Sequence, residues 1–463
     1  MPSTIEFNAD LIRRYDQTGP RYTSYPVAVH FNESFDRHAY RNHLERSNQE
    51  LIPRPLSLYF HIPFCSTLCF YCACNKIVTK NKSHCLPYLE HLFHEIELQS
   101  AIVDPDRQVE QIHLGGGTPT FLDINQLTTL LDKVSSHFSI AEGSTRDFSI
   151  EIDPRSVSVE TARQLIDIGF NRVSMGVQDF NAEVQKAVHR IQAESETLEI
   201  IQALKESGVS STNIDLMYGL PKQTHASFRN TIEKIIKLDV DRICLFNYAH
   251  LPELFKPQRR IRDEDLPSAA EKLKILETSI ELLTEAGYIY IGMDHFAKPD
   301  DSLSIAMDDG SLRRNFQGFS SHAACDVIAM GITGISQIGD CYGQNLKGLE
   351  DYYDCLGRNE IPVFRGIELT ADDQLRRAVI ERLMCRNRLD KASIEKRFKI
   401  DFDVYFRSEL QHLKPMQDDG LLSLEAGQIA IEPRGRFLIR NICMVFDWYL
   451  QRGTGKTHFS RVI

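Results

Sequence analysis

Six short runs of β-branched and aromatic residues, each followed by a stretch with helical periodicity, constrain this chain more than any other feature. The runs are SLYFHI (57–62), QIHL (111–114), FSIEID (148–153), RVSMGV (172–177), TNIDLMY (212–218) and RICLFNY (242–248). Strand–helix repeats at roughly 30–40 residues predict parallel strands joined by right-handed crossover helices. After Leu220 and Pro221, residues Phe228, Ile232, Ile235 and Ile236 fall on one helical face. The preceding helix carries Leu198, Ile201 and Leu204 on one stripe, with Gly208 as its stop. The fold class is therefore α/β, as a partial (open) parallel β/α barrel. A flat doubly wound sheet is the alternative.

The flanks read differently. Residues 1–50 are polar and irregular around GPRYTSYP, an extended N-terminal segment ahead of a barrel domain over 51–366. Residues 367–463 form a small, mostly helical C-terminal domain. Within it LLSLEAGQIAIEP (421–433) predicts a hairpin, and RGRFLIRNICMVFDWYL predicts a further helix. Helices plus a hairpin suggest a winged-helix-like module acting as a structural cap.

A formal charge of -11 argues against a nucleic-acid partner, which needs a basic surface. No apolar run approaches the ~18 residues of a membrane span, and the N-terminus lacks a basic-then-apolar signal. A cytoplasmic protein is expected, with no membrane association. No long amphipathic dimerisation helix stands out, so a monomer is expected. Local basic clusters still suit an anionic ligand: Lys256, Arg259, Arg260 and Arg262; Arg313 and Arg314; and Arg21.

Eleven cysteines at irregular spacings do not form a disulfide framework. Cys65, Cys69 and Cys72, in HIPFCSTLCFYCAC, follow directly on the first predicted strand. Structural zinc usually takes two separated pairs in a closed four-ligand shell. Three thiolates on one tight loop suit a four-iron, four-sulfur cluster with one iron left open for a small molecule. Cys74 is read as lying near the cluster without ligating it.

Barrels carry their chemistry at the C-terminal ends of the strands. There this sequence places Gly115–Gly116–Gly117–Thr118–Pro119, then Glu151 and Asp153, Gln178 and Asp179, Asp215, and Asn247–Tyr248–Ala249. Bare glycine backbone permits close approach of a ligand, and the carboxylates and amide suit ribose hydroxyls and an amino group.

CxxxCxxC on the first strand–helix loop, with GGGTP after the second strand, resembles the radical S-adenosylmethionine superfamily. The resemblance extends to the oxygen-independent coproporphyrinogen III dehydrogenase (oxidase) family through GPRYTSYP, SLYFHIPFC, the CxC cysteine, NRVSMGVQDF, STNIDLMYGLPKQT, FNYAHLP, IGMDHFA, RRNFQG and RGRFLIRNICM. It implies a [4Fe-4S] cluster on Cys65, Cys69 and Cys72 and two molecules of S-adenosyl-L-methionine. One, on the open iron, would contact Tyr59, Tyr71, Gly116, Gly117, Thr118, Glu151 and Ile335. The second would contact Gln178, Arg190, Asp215 and Ala249. The implied reaction converts two propionates of coproporphyrinogen III to vinyl groups through a 5′-deoxyadenosyl radical, giving protoporphyrinogen IX in haem biosynthesis. An electron donor to the cluster is also implied. No catalytic side chain is assigned beyond Cys74 as a candidate near the cluster. The rival readings are a haem chaperone on the same scaffold, a radical methyltransferase and a zinc-stabilised winged-helix regulator. Cys74, where such chaperones carry phenylalanine, and the RNICM block favour the dehydrogenase.

Overall fold

All six runs are strands. The computed structural model, which describes residues 5–143, 146–322, 325–452 and 459, sets them side by side in chain order. Strand β1 (Leu56–Ile62) pairs with β2 (Gln108–Gly116), β2 with β3 (Asp147–Ile152), and β3 with β4 (Arg172–Gln178). Next come β5 (Ser211–Tyr218) and β6 (Arg242–Asn247), and every one of these pairings is parallel. Neighbours that follow chain order without a reversal define a barrel that has not closed, rather than a doubly wound sheet.

Beyond β1 the sheet continues through strands that the sequence reading did not name. Strand β7 (Asp326–Met330) lies parallel to β1, followed by antiparallel β8 (Ile335–Ile338), β9 (Cys341–Asn345) and β10 (Val363–Glu368). The reason they were illegible is physical. β9 reads CYGQN and is buried at every position, so neither an apolar run nor a period of two marks it.

Helices cover the outer face. Asp123 and Gln126 form a capping box on Ile124–His137, and Thr224 and Ser227 form another on His225–Lys237. Phe228, Ile232 and Ile235 are fully buried as expected, each contributing about 1.5–3 kcal/mol. In Glu194–Glu206 the buried stripe runs through Thr197, Ile200, Ile201 and Leu204, which leaves Leu198 exposed.

The chain divides into two compact units. Residues 31–275 and 324–368 carry strands β1 to β10; residues 1–30, 276–323 and 369–463 form the other unit. This division corrects the sequence boundaries twice. Residues 276–323 leave the barrel span because Leu303, Ala306 and Leu312 pack with Leu375, Val379 and Leu383, contacts that local composition cannot reveal. The first 50 residues are not one extended piece. They contain helices Ala9–Tyr15 and Arg37–Ser47, capped by Asn8 and Asp36, with Tyr22 and Tyr25 buried in the first cluster and Tyr40 and Leu44 buried in the sheet unit.

The C-terminal part is mostly helical, with helices Ala371–Arg386, Lys391–Phe398 and Arg407–Asp418. The expected hairpin is present as Leu422–Leu424 and Gln428–Ile431, joined by Arg388–Asp390 into a three-stranded sheet. The single helix expected over 434–450 is broken into Ile439–Met444 and Trp448–Gln451. Asp447 causes the break. Its carboxylate accepts from the Tyr449 and Leu450 N–H groups and from the Tyr22 hydroxyl (2.8 Å), so it starts a new turn.

Candidate active site

Cross-strand register aligns the inward-facing side chains. Tyr59, His113 and Ser149 share one row across β1–β3, and Glu151, Ser174 and Asn213 share one across β3–β5. After β1 the chain turns through the cysteine loop. Phe64–Cys65 pairs with Ile77–Val78, closing the loop with Ile77 N–H donating to the Pro63 carbonyl (2.7 Å) and Thr79 N–H to that of Cys65 (2.9 Å). The result is a cavity of about 450 Å³ lined by Cys65, Cys69, Cys72 and Cys74 together with residues from the ends of β2 to β5.

Hydrogen-bond donors surround the sulfurs. Nη2 of Arg155 lies 3.4 Å and Nη1 of Arg190 3.6 Å from Cys69 Sγ, while the Thr118 hydroxyl lies 3.6 Å from Cys65 Sγ. A hydrogen bond from Cys74 and the Lys76 ammonium outweigh burial and pull the Cys72 thiol down to about 6. Burial pushes Cys65 the other way, to about 11.

The carboxylates have been sorted by their neighbours. Burial by itself raises the Glu151 carboxyl, but His113 (3.4 Å) and the Gly116 N–H (3.2 Å) reverse that and hold it below the ordinary range. Asp153 is likewise held low despite burial, accepting from Arg190 Nη1 (3.0 Å) and from Arg155 at Nε (2.9 Å) and Nη2 (2.6 Å). Asp215 goes up to about 6, through burial and then the Glu151 charge, although Asn213 Nδ2 donates to it at 2.8 Å.

Two glycines are required by space. Gly116 has φ +113°, and a methyl group there would meet the His61 ring at 2.6 Å. On Gly117 it would meet the backbone carbonyl of Pro63 at 2.7 Å.

These residues fit an iron–sulfur cluster carrying a small ligand. Three cysteines of one loop line a single cavity, with cationic and hydroxyl donors suited to stabilising thiolates. Two further atoms ask for a partner: Nε of Arg190 and Oε1 of Gln178 are buried without a hydrogen bond.

Of the strand-end residues named from sequence, Asp153 also lines the cavity, while Gly115, Pro119, Asp179, Asn247 and Tyr248 do not. Of the residues assigned to the cluster and to S-adenosylmethionine, Cys65, Cys69, Cys72, Cys74, Tyr71, Gly116, Gly117, Thr118, Glu151, Gln178, Arg190 and Asp215 all line it. Three do not. Tyr59 stacks on His113 (5.7 Å between centroids), with its hydroxyl 3.2 Å from His61 Nδ1. Ile335 opens β8 opposite Gln344, and Ala249 follows the end of β6. The basic clusters flagged from sequence also lie off the lining. Arg21 pairs with Asp294 (2.7 Å), Arg262 with Asp265 (3.0 Å), and Arg260 covers the Phe70 ring. Sequence reasoning missed Arg155, Ser174, His61 and His113. The two histidines had a signal: each is a polar residue at an inward position of an otherwise apolar run.

An open parallel barrel with three thiols on its first strand–helix loop defines a radical S-adenosylmethionine enzyme, and residues 59–235 match the Radical SAM superfamily model. Residues 369–438 match the HemN C-terminal domain. The chain is 49% identical to the oxygen-independent coproporphyrinogen III oxidase of Pseudomonas aeruginosa, covering 100% of both chains. It is 46% identical to that of Escherichia coli K12, over 99% of each. It superposes on a solved structure, described as coproporphyrinogen III oxidase (HemN) from Escherichia coli, a radical SAM enzyme, with TM-score 0.91 and 45% identity, covering 96% of this chain and 100% of that one. The chain belongs to the oxygen-independent coproporphyrinogen III oxidase family.

Proposed function

We propose that this enzyme converts two propionate side chains of coproporphyrinogen III to vinyl groups, giving protoporphyrinogen IX for haem synthesis. Each conversion removes one hydrogen atom from the propionate β-carbon, one carbon dioxide and one electron, which passes to an external one-electron acceptor. The observation that carries the reading is the cysteine-lined cavity at the barrel mouth, in a chain whose relatives share its whole length.

Cys65, Cys69 and Cys72 would hold the [4Fe-4S] cluster, with Cys74 beside it. The chemistry that cluster and S-adenosylmethionine supply when bound is one-electron cleavage to a 5′-deoxyadenosyl radical, which takes the hydrogen atom. A carbon–hydrogen bond of this kind is beyond the reach of a side-chain base, so the protein's own part is positioning. Tyr59, Tyr71, Gly116, Gly117, Thr118, Glu151 and Ile335 would hold the S-adenosylmethionine at the open iron. Glu151, kept ionised by His113, offers a carboxylate to an ammonium group, and Gly117 leaves its backbone bare. Gln178, Arg190, Asp215 and Ala249 would hold the second molecule, for which the unpaired Arg190 Nε and Gln178 Oε1 are a donor and an acceptor. Arg155 and Arg190 keep Asp153 ionised and turn N–H groups towards Cys69. Among the described residues no helix is long and apolar enough to cross a membrane. We take the enzyme to be a cytoplasmic monomer fed by a reductant.

The test is anaerobic reconstitution with iron and sulfide, then incubation with S-adenosylmethionine, a reductant and coproporphyrinogen III, followed by mass detection. Loss of two carbon dioxide units in step with 5′-deoxyadenosine is expected. If 5′-deoxyadenosine forms while the porphyrin mass stays constant, the substrate assignment falls. Tight haem binding with neither product would support a chaperone instead.

A further inference from the structure

The unit formed by residues 1–30, 276–323 and 369–463 gathers arginines around the C-terminal end of one of its helices. Arg382 and Arg386 lie one turn apart on a single face of helix Ala371–Arg386. That helix packs against the strand Arg313–Asn315, which pairs antiparallel with Gly318–Ser320. Arg313 ties the two elements together, with Nε 3.2 Å from Glu381 and Nη1 donating to the carbonyls of Leu312 (2.9 Å) and Gly310 (3.2 Å). Arg314 is spread over the Phe319 ring at 4.8 Å. Arg386 approaches the same turn: a methyl group on Gly310 would meet its Cζ at 3.5 Å.

Charge and hydrogen bonding are both left open here. Glu381 and Asp309 face the cluster, against Arg313, Arg382, Arg386 and, beside Arg382, Arg397. Burial and then mutual repulsion push the Arg382 and Arg386 guanidiniums below their ordinary range. Nη1 of Arg382, Nε of Arg386 and Nε2 of Gln317, at the hairpin turn, are buried donors without a hydrogen-bond partner. A helix C-terminus favours one cation, which accounts for Arg386. It does not account for a second arginine a turn earlier or for Arg313 on the strand. Partly dehydrated guanidinium forks with spare N–H groups, on a chain of net charge -11, call for an acceptor-only anion.

We propose that Arg313, Arg382 and Arg386 form a carboxylate-binding site that takes a propionate of the tetrapyrrole. This rests on the coproporphyrinogen reading above. The substrate carries four propionates, of which two lose their carboxylates as carbon dioxide and two keep their charge throughout. A guanidinium site is suited to hold one that persists.

The test uses the full-length reconstituted enzyme and coproporphyrin III, the air-stable oxidised form with the same four carboxylates, followed by fluorescence titration. The double variant Arg382→Gln/Arg386→Gln is expected to weaken binding by about tenfold or more. It should leave binding of the uncharged tetramethyl ester and uncoupled cleavage of S-adenosylmethionine unchanged. Arg386→Lys, which keeps the charge and loses the fork, should fall between. Equal weakening for acid and ester would mean damaged folding and would overturn the proposal, as would unchanged binding of the acid. Inorganic phosphate displacing the porphyrin from wild type, but not from the double variant, at similar concentration would overturn the tetrapyrrole assignment in favour of a general anion site. If wild type decarboxylates coproporphyrinogen while the double variant keeps wild-type KM, this inference alone fails. If wild type does neither, the functional reading fails first.

Discussion

Arg190 at the barrel mouth and Arg376 in the other unit are both almost completely buried, yet they are treated oppositely. Arg376 is satisfied on all sides: Nε donates to Asp372 (2.9 Å), Nη1 to Glu409 (2.9 Å) and to the Phe446 carbonyl (3.0 Å), and its plane lies 5.3 Å from the Phe406 and Trp448 rings. Arg190 also has partners, in Asp153, the Gly176 carbonyl and Cys69, but its Nε has none. A buried charge is tolerated only when paired, so completeness of pairing separates a group that holds the fold from one that waits for a ligand. The partners differ as well. Asp153 has a second arginine, Arg155, in reserve.

Substituting each arginine by methionine sharpens that contrast most. Arg376→Met leaves the buried Glu409 carboxylate facing an apolar side chain, and should cost about 3–5 kcal/mol in denaturant unfolding. Arg190→Met leaves Asp153 on Arg155 and should cost only about 1 kcal/mol, while 5′-deoxyadenosine formation falls on the order of a hundredfold. Equal stability losses for the two would break the comparison.

The same contrast runs through the carboxyls. Glu95 accepts from the Tyr352 hydroxyl (2.6 Å), Asn345 Nδ2 (2.7 Å) and the Gly331 N–H (2.8 Å), so it is a scaffold group, unlike Glu151. Burial outweighs those bonds and pushes it up to about 7 from an ordinary 4.5. Because the folded value is the higher, its protonated form favours folding. That contribution is complete below pH 4.5 and is lost as pH rises through 7, an amount of about 3 kcal/mol. Glu95→Gln should therefore lack this slope, so wild type minus variant stability falls between pH 4.5 and 7. Parallel stability curves would show that Glu95 does not titrate there.

Gly117→Ala forces the Pro63 carbonyl to move and should cost about 1–3 kcal/mol. Because Thr118 follows directly and lies 3.6 Å from Cys65 Sγ, activity should fall on the order of tenfold or more. Iron content after reconstitution and the rate of 5′-deoxyadenosine release check this. Retained activity would show that the glycine serves only the turn.

Much of the active site could be read in the sequence because its information is local. Three cysteines within one loop, three glycines at one strand end, and polar residues at successive strand ends need only the strand period to be placed together. Arg155 and Ser174 escaped, since an arginine after a proline or a serine within a strand is unremarkable until its neighbours are known. The basic clusters misled for the converse reason: adjacent charges in sequence, such as Arg262 near Asp265, neutralise each other locally.

By itself the sequence determined the parallel strand order, the thiol loop and the glycine-floored strand end, all set by periodicity, spacing and backbone freedom within a few residues. Only the tertiary structure decided that residues 276–323 join the C-terminal core, that β7 to β10 extend the sheet, and that Arg382 and Arg386 meet Arg313. Those outcomes depend on burial between segments far apart in the chain. The free energy of such contacts comes from water excluded at the contact itself, and no window of sequence contains both sides.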